Sequence, residues 1–293
     1  MTGNQTIADL IAEAAAKLAG SSIENPRREA RLLLGHATGL RQETMIANPE
    51  RVVEADCVEV FVQVVERRSS REPMSHILGY REFWDLRFSV NADVLDPRPE
   101  TETIIEEVID RFPVHSDRLC FADFGTGSGC LLLTLLATYG NAQGIGIEAS
   151  AAACEIAKLN AQSLDLSGRA AIVHGDWNSV LLGCGADIDC LVANPPYIPS
   201  TVIETLEPEV ADFEPRLALD GGADGLNAYR VIIPMAFDAL KPGGLIVLEV
   251  GKGQAAQVIS MLVAAGFIDT KTRKDLAAIE RVVSGVKPEA TNR

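Results

Sequence analysis

From residue 119 onward, short apolar runs alternate with helical stretches, and few folds accommodate that alternation. Strands are predicted over 119–124, 143–148, 170–174, 188–193 and 244–250, with helices over 129–139, 150–162, 226–240 and 254–265. This order makes βαβ units, which build a largely parallel sheet with helices on both faces. Arg281-Val282-Val283 is expected to add an edge strand.

The first 80 or so residues have a different period. Thr6 is placed as an N-cap with Asp9 three residues on, and Ile7, Leu10, Ile11, Ala14 and Leu18 keep one apolar face. A second helix starts at Asn25-Pro26, where Asn caps and Pro takes the first helical position; Gly39 stops it. Val58, Phe61, Val62 and Val65 mark a third between about 54 and 68. Between the two patterns, 83–90 alternates with period two and breaks at Asn91-Ala92-Asp93, suggesting a β-hairpin that bridges two domains. The expected division is a helical domain over 1–80, a hairpin linker over 81–97 and an α/β domain over 98–293. Thr101 is positioned to cap a helix running to about Arg111.

Twenty-six Lys and Arg against 41 Asp and Glu leave a net charge of −15. Proteins that grip nucleic acid draw most of their affinity from Lys and Arg on phosphates, so this balance favours a small-molecule or protein substrate. No apolar stretch reaches the roughly 18 residues a membrane span needs. The N-terminus shows no basic region followed by an apolar core, so the chain is expected in the cytoplasm. The six cysteines, 57, 120, 130, 154, 184 and 190, form no CxxC pair, and the four histidines make no HExxH or Cys/His cluster. The cysteines read as buried or half-buried free thiols, and no metal is expected.

The chemistry begins where the first strand of the alternating region ends, at Gly125-Thr126-Gly127-Ser128-Gly129. Glycine permits the turn there and lets a ligand approach the main chain. Any tight strand-to-helix turn uses glycine, so the loop gains meaning from the next strand, which ends in Glu148, 19 residues beyond Gly129. A carboxylate there can accept hydrogen bonds from both ribose hydroxyls of a nucleoside. A dinucleotide fingerprint reads GxGxxG/A, whereas here the spacing is GxGxG and Cys130 fills the position of the last small residue. S-adenosylmethionine carries no phosphate, and its amino-acid end lies over such a loop, so it is the expected cofactor. Trp177, in Gly175-Asp176-Trp177, could cover the adenine ring or simply pack on its own loop.

The fourth strand runs into Asn194-Pro195-Pro196-Tyr197. The prolines stiffen this loop and remove backbone donors, leaving carbonyls free to accept. Asn194 offers an amide oxygen and Pro195 a carbonyl, the pair of acceptors that a planar NH2 group requires. An amide nitrogen shares its lone pair with its carbonyl and is a poor nucleophile. Two hydrogen bonds to its protons would orient it and relieve the positive charge that develops as it attacks a methyl group. Tyr197 supplies a flat surface against the substrate plane. Adenine and cytosine amines present the same NH2 geometry, so an N6-adenine methyltransferase acting on DNA or RNA is the alternative, and charge argues against it. A cofactor-binding module without catalysis is a third reading, which two aimed acceptors disfavour.

These residues resemble the peptide chain release factor glutamine methyltransferases, the HemK/PrmC family, over most of the sequence. The resemblance rests on Arg71–Met74 through Gly79-Tyr80, Val94–Glu102, Gly125–Gly129, Gly175–Trp177, Asn194–Tyr197, Glu214–Gly222, Asp224–Leu226 and Leu248–Gly251. It implies a class I S-adenosylmethionine-dependent methyltransferase fold, Rossmann-like, with a helical N-terminal domain that helps recognise the protein partner. It further implies methylation of the glutamine in the Gly-Gly-Gln motif of class 1 release factors, by an enzyme expected to be monomeric so that its partner reaches an open cleft. By position, Gly125, Thr126, Gly127, Ser128, Gly129, Glu148 and Trp177 would bind the cofactor. Asn194 would touch cofactor and glutamine, Pro195, Pro196 and Tyr197 would complete the substrate site, and Arg98 and Thr101 would lie over the cofactor as a lid. The chain departs from the family pattern at Glu148, where Asp is usual, at Asp96, usually apolar, and within Asp275–Arg281, where Ala and Glu replace Gly and Asp.

Overall fold

The computed structural model describes residues 5–177 and 188–290, and they fall into two compact units. The first comprises Met1–Gly79 together with a later segment, Glu207–Phe213. The second comprises Tyr80–Leu206 and Glu214–Arg293, and the hairpin expected as a separate linker belongs to it.

In the first unit, α1 (Ile7–Gly20), α2 (Pro26–Thr38) and α4 (Ala55–Ser69) carry the core, joined by short α3 (Gln42–Ala47) and α5 (Met74–Leu78). Leu10, Leu18, Leu33, Leu34, Phe61 and Val65 bury the faces that the spacing marks. Thr6 and Asp9 form a reciprocal capping box, each accepting the other's backbone N–H at 3.2 Å. Asn25 behaves otherwise than expected. It enters α2 in the left-handed conformation with no side-chain cap, so Pro26 alone marks the start.

The later segment contributes charge. Arg68, 6% exposed, pairs with Glu29 at 2.6 Å and Glu209 at 3.0 Å, while Arg71 pairs with Glu209 at 2.6 Å and Glu207 at 3.0 Å. Burial pushes the Glu209 carboxyl up, but its hydrogen bonds, those from Arg71 and Arg68 among them, outweigh burial and leave it below its ordinary value. Replacing Arg68 with alanine strands Glu29 and Glu209 and should destabilise the protein by about 2 kcal/mol. Urea unfolding of the full chain measures it, and an unchanged midpoint would refute the account.

The second unit is built on a seven-stranded sheet: β3 (Cys120–Phe124), β4 (Gln143–Glu148), β5 (Ala170–His174), β6 (Ile188–Ala193), β7 (Leu240–Glu249), β8 (Ile268–Lys274) and β9 (Glu280–Val286). Their order is β5-β4-β3-β6-β7-β9-β8; neighbours from β5 to β7 are parallel, and β9 is antiparallel to both β7 and β8. Alternate residues along the central strands enter opposite cores. Ala122, Leu191, Ile246 and Leu248 point to one, with α9 (Asn227–Ala239) and α10 (Ala255–Ala264). Phe121, Cys190, Val192 and Val247 point to the other, with α6 (Glu102–Arg111) and α7 (Cys130–Thr138). Helix α8 (Ala151–Ser163) follows β4.

Several expectations change here. β7 begins at Leu240 rather than 244, carrying Lys241–Gly244 through an irregularity opposite Ile188 and Cys190. The strand at Arg281–Val283 is internal, between β7 and β8, and unforeseen β8 is the edge. The hairpin consists of β1 (Tyr80–Phe83) and β2 (Leu86–Ser89) and reverses at Trp84-Asp85, not at Asn91–Asp93. Both turn residues have positive φ, 48° and 60°, which suits a two-residue hairpin turn, and the Glu102 carboxylate accepts the Trp84 N–H at 2.9 Å. Cys154 and Cys190 are buried free thiols; Cys184 lies outside the described residues.

Candidate functional site

The chain leaves β3 toward β4 and β5, then returns to place β6 on the other side of β3. The carboxyl ends of β3 and β6 therefore lie side by side where the winding reverses, the position at which open α/β sheets bind ligands. The glycine loop follows β3 and Asn194 follows β6.

The loop is fixed from below. Gly125 and Thr126 donate their N–H groups to the Ile147 carbonyl at 2.8 and 3.2 Å, and Gly129 donates to Thr126 at 2.7 Å. Gly125, Gly127 and Gly129 have φ of +74°, +55° and +83°. A Cβ at Gly125 would meet nothing within 4 Å, so the missing side chain leaves open space beside the main chain. Thr126 is buried and donates its hydroxyl to Asp123 at 2.7 Å. Burial pushes the Asp123 carboxyl up to about 7. Asn160 on α8 clamps the loop laterally, donating to the Ser128 carbonyl at 2.8 Å and to the Ser89 carbonyl at 3.0 Å.

Glu148 ends β4 beside this loop. Its oxygens accept from Gly127 N and Ser150 N, both at 2.9 Å, so the longer side chain curls onto the backbone on either side of it. Each oxygen keeps a second lone pair. Trp177 stacks its ring on Phe124, with centroids 5.8 Å apart and planes 10° from parallel.

Asn194 donates its Nδ2 to the Thr101 hydroxyl at 3.2 Å, and Thr101 donates to Glu249 Oε2 at 2.6 Å. The other oxygen of Glu249 accepts from the Tyr197 hydroxyl at 3.3 Å. Burial raises both acids: Glu249, 1% exposed, is pushed up to about 7 despite its two hydrogen bonds, and Tyr197 is pushed well up, with Glu249 adding to burial. Among the described residues, neither Asn194 Oδ1 nor the Pro195 carbonyl accepts a hydrogen bond. The loop behind them is pinned by Ile198 N to Leu219 O at 3.0 Å, Gly221 N to Ile198 O at 2.8 Å, and Gln254 Nε2 to the Tyr197 carbonyl at 3.0 Å.

Between the two loops lies a cavity of about 390 Å³ with mostly apolar walls, in the size range of small-molecule sites, roughly 300–1,000 Å³. Of the residues expected from sequence, Gly125, Gly127, Glu148, Trp177, Asn194 and Pro196 line it. Thr126, Ser128, Gly129, Pro195 and Tyr197 belong to the two loops but do not line it. Arg98 and Thr101, expected as a lid, are placed elsewhere. Arg98 pairs with the buried Glu214, whose carboxyl burial pushes up to about 7. Thr101 is 2% exposed and lies beneath Asn194; it does not cap α6, because its hydroxyl is committed to Glu249. Sequence reasoning missed Asp123, Asn160, Gln254 and Glu249 as supports, although a carboxylate ending the apolar run Leu245–Leu248 is a legible signal. It also missed Leu95 and Leu217 in the walls.

The residues present suit S-adenosylmethionine: open space over Gly125, a carboxylate with spare lone pairs at Glu148, an apolar wall with an aromatic ring, and polar acceptors at the far loop. Comparison with known proteins agrees. The PrmC N-terminal domain family matches residues 9–79, and the methyltransferase small domain family matches residues 105–206. A release factor glutamine methyltransferase of Caulobacter vibrioides is 47% identical over 92% of this chain and 93% of its own. Another, of Rhodospirillum rubrum, is 43% identical over 93% of this chain and 82% of its own. Among solved structures, the hMettl16 catalytic domain in complex with MAT2A 3'UTR hairpin 6 superposes with a TM-score of 0.59 at 17% identity, over 78% of this chain and 83% of that one, a likeness of fold alone.

Proposed function

The chain belongs to the release factor glutamine methyltransferase family, and from that premise we propose how its residues carry out the reaction. The enzyme transfers a methyl group from S-adenosylmethionine to the side-chain amide nitrogen of a release-factor glutamine. The target is the glutamine of the Gly-Gly-Gln motif in class 1 release factors, methylated at N5. The observation that carries the site assignment is Asn194, which lines the cavity with Gly125 and Gly127 and whose Oδ1, like the carbonyl of the adjoining Pro195, accepts no hydrogen bond among the described residues.

When bound, the cofactor supplies an electrophilic methyl group on a positively charged sulfur. Gly125 to Gly129 would hold its amino-acid end, with Thr126, Ser128 and Gly129 shaping the loop. Glu148, through its spare lone pairs, would accept from the ribose hydroxyls, and Trp177 with the apolar walls would cover the adenine. Asn194 and Pro195 accept the two N–H bonds of the substrate amide, fixing its plane and stabilising the charge that grows on nitrogen as it attacks. Pro196 and Tyr197 give the plane its backing. The nitrogen sheds one proton to water as the methyl group is gained, which restores a neutral amide. Arg98, through Glu214, steadies the segment that continues into the cavity wall at Pro215. The enzyme acts as a cytoplasmic monomer with a cleft open to its protein partner, and it does not bind nucleic acid directly, the last supported by the net charge of −15.

The test is label transfer from S-adenosylmethionine to a purified class 1 release factor, beside a control whose Gly-Gly-Gln glutamine is alanine. Label on the intact partner alone is expected; label on nucleic acid instead would overturn the assignment. Replacing Trp177 with alanine should weaken S-adenosylhomocysteine binding about tenfold, the effect of losing one aromatic contact. Calorimetry decides this, and an unaltered Kd would remove Trp177 from the adenine site.

A further inference from the structure

We propose that Glu249 is the positioning residue of the amide site: through the Thr101 hydroxyl it sets which end of the Asn194 side chain faces the cavity. The inference rests on the reading that Asn194 Oδ1 receives the substrate amide. An asparagine amide can turn by half a revolution and present NH2 where the oxygen should be, and a site offering a donor to a substrate NH2 would repel it.

Two bonds in series prevent the turn. Thr101 has one hydroxyl proton and gives it to Glu249 Oε2 at 2.6 Å, and an ionised carboxylate can only accept. With that proton committed, Thr101 can meet Asn194 only as an acceptor, so the Asn194 Nδ2 is drawn to it at 3.2 Å. The oxygen is then left for the cavity, which Asn194 lines and which neither Thr101 nor Glu249 reaches. The remaining carboxylate oxygen takes the Tyr197 hydroxyl at 3.3 Å, and the Glu249 carbonyl takes the Tyr229 hydroxyl at 2.8 Å. One buried carboxylate thus ties Thr101, ahead of α6, to Tyr197 in the loop after β6, across 148 residues of sequence on one side and 52 on the other.

The protonation state of Glu249 decides the direction of the series. A protonated Glu249 can donate to Thr101, whose own proton then turns to Asn194 and favours the reversed amide. The groups facing the carboxyl are Arg281 on β9, Glu100 beside Thr101, the hydroxyls of Tyr197 and Tyr229, and the Cys130 thiol. Burial, the largest influence, raises Glu249 to about 7. The competent form is the ionised one, so turnover rises with pH through that value and falls below it.

The experiment compares wild type with Thr101→Val, Thr101→Ser and Asn194→Ala. It measures kcat and KM for a class 1 release factor, Kd for S-adenosylhomocysteine, and kcat from pH 6 to pH 9, a window of about one to two units around the carboxyl's value. Valine keeps the shape of threonine and removes the hydroxyl. It should lower kcat about 10- to 100-fold and leave KM and the cofactor Kd within about threefold, because the loss falls on the transition state. Serine should restore kcat to within about threefold, and the wild-type rise of kcat through about pH 7 should vanish in the valine variant. Wild-type kcat in Thr101→Val, with Asn194→Ala inactive, overturns the positioning role alone. Parallel losses of cofactor binding and kcat that serine does not rescue also overturn it, as a structural defect. Wild-type kcat in Asn194→Ala overturns the amide-site reading itself.

Discussion

Replacing Asn194 with alanine should lower kcat for release-factor methylation by about 100- to 1,000-fold, the effect of removing one aimed hydrogen-bonding group from a transition state. The cofactor should still bind within about tenfold of its wild-type Kd, because the glycine loop, Glu148 and Trp177 lie on the other side of the cavity. The expectation follows from what an amide nitrogen lacks. Its lone pair is delocalised, and its protons must be held as it attacks. On the proposed reading Asn194 Oδ1 accepts one of them, since its Nδ2 is engaged by Thr101. Single-turnover kinetics with saturating cofactor separates the chemical step from binding. A variant that turns over normally would mean that the loop only shapes the cleft.

A single added methyl at Gly225 should be almost as damaging. Gly225 has φ of +75°, and a Cβ there would stand 2.4 Å from the Tyr197 carbonyl and 2.6 Å from Gln254 Nε2. Both belong to the hydrogen bonds that hold the loop after β6 from behind. The left-handed backbone alone costs about 1–2 kcal/mol for alanine, and the overlap about 1–3 kcal/mol more. Gly225→Ala should therefore lower Tm by roughly 10 °C and reduce kcat at least about tenfold, because a displaced Tyr197 carbonyl moves the acceptors beside it. Differential scanning calorimetry checks the first outcome. A Tm within about 2 °C of wild type would show that the loop yields without resistance.

What the sequence reveals and what it hides follow from burial. The parallel strands β3, β4 and β6 are covered on both faces, so Phe121–Phe124, Ile145–Ile147 and Leu191–Ala193 are nearly continuous apolar runs, interrupted by the buried Asp123, that stand out by eye. β8 is an edge, largely exposed, and Ile268–Lys274 alternates Asp, Lys, Arg and Thr with little that distinguishes it from a loop. The hairpin turn escaped because Trp84 takes a left-handed backbone angle that a bulky aromatic residue does not advertise, although Asp85 beside it belongs to a type that adopts one readily. The cavity lining was legible where a local motif determines it, as at Gly125, Glu148 and Asn194. Thr101 was legible as important but not in its role, since a threonine before a helix suggests a cap and its real partner is Glu249. Contacts between residues so far apart leave no local periodicity to read. For the same reason nothing in Glu207–Phe213 suggests that it completes the N-terminal unit.

That last segment has a consequence for how the protein is made. Arg68 and Arg71 obtain Glu207 and Glu209 only after residues 80–206 have been synthesised. Domains generally fold in order as they leave the ribosome, but here the first unit emerges with two arginines short of partners and stays incomplete through most of translation. Its final consolidation waits on a stretch that begins ten residues after the Asn194–Tyr197 loop, so the helical unit reaches its finished state no earlier than the loop that shapes the substrate site has been made.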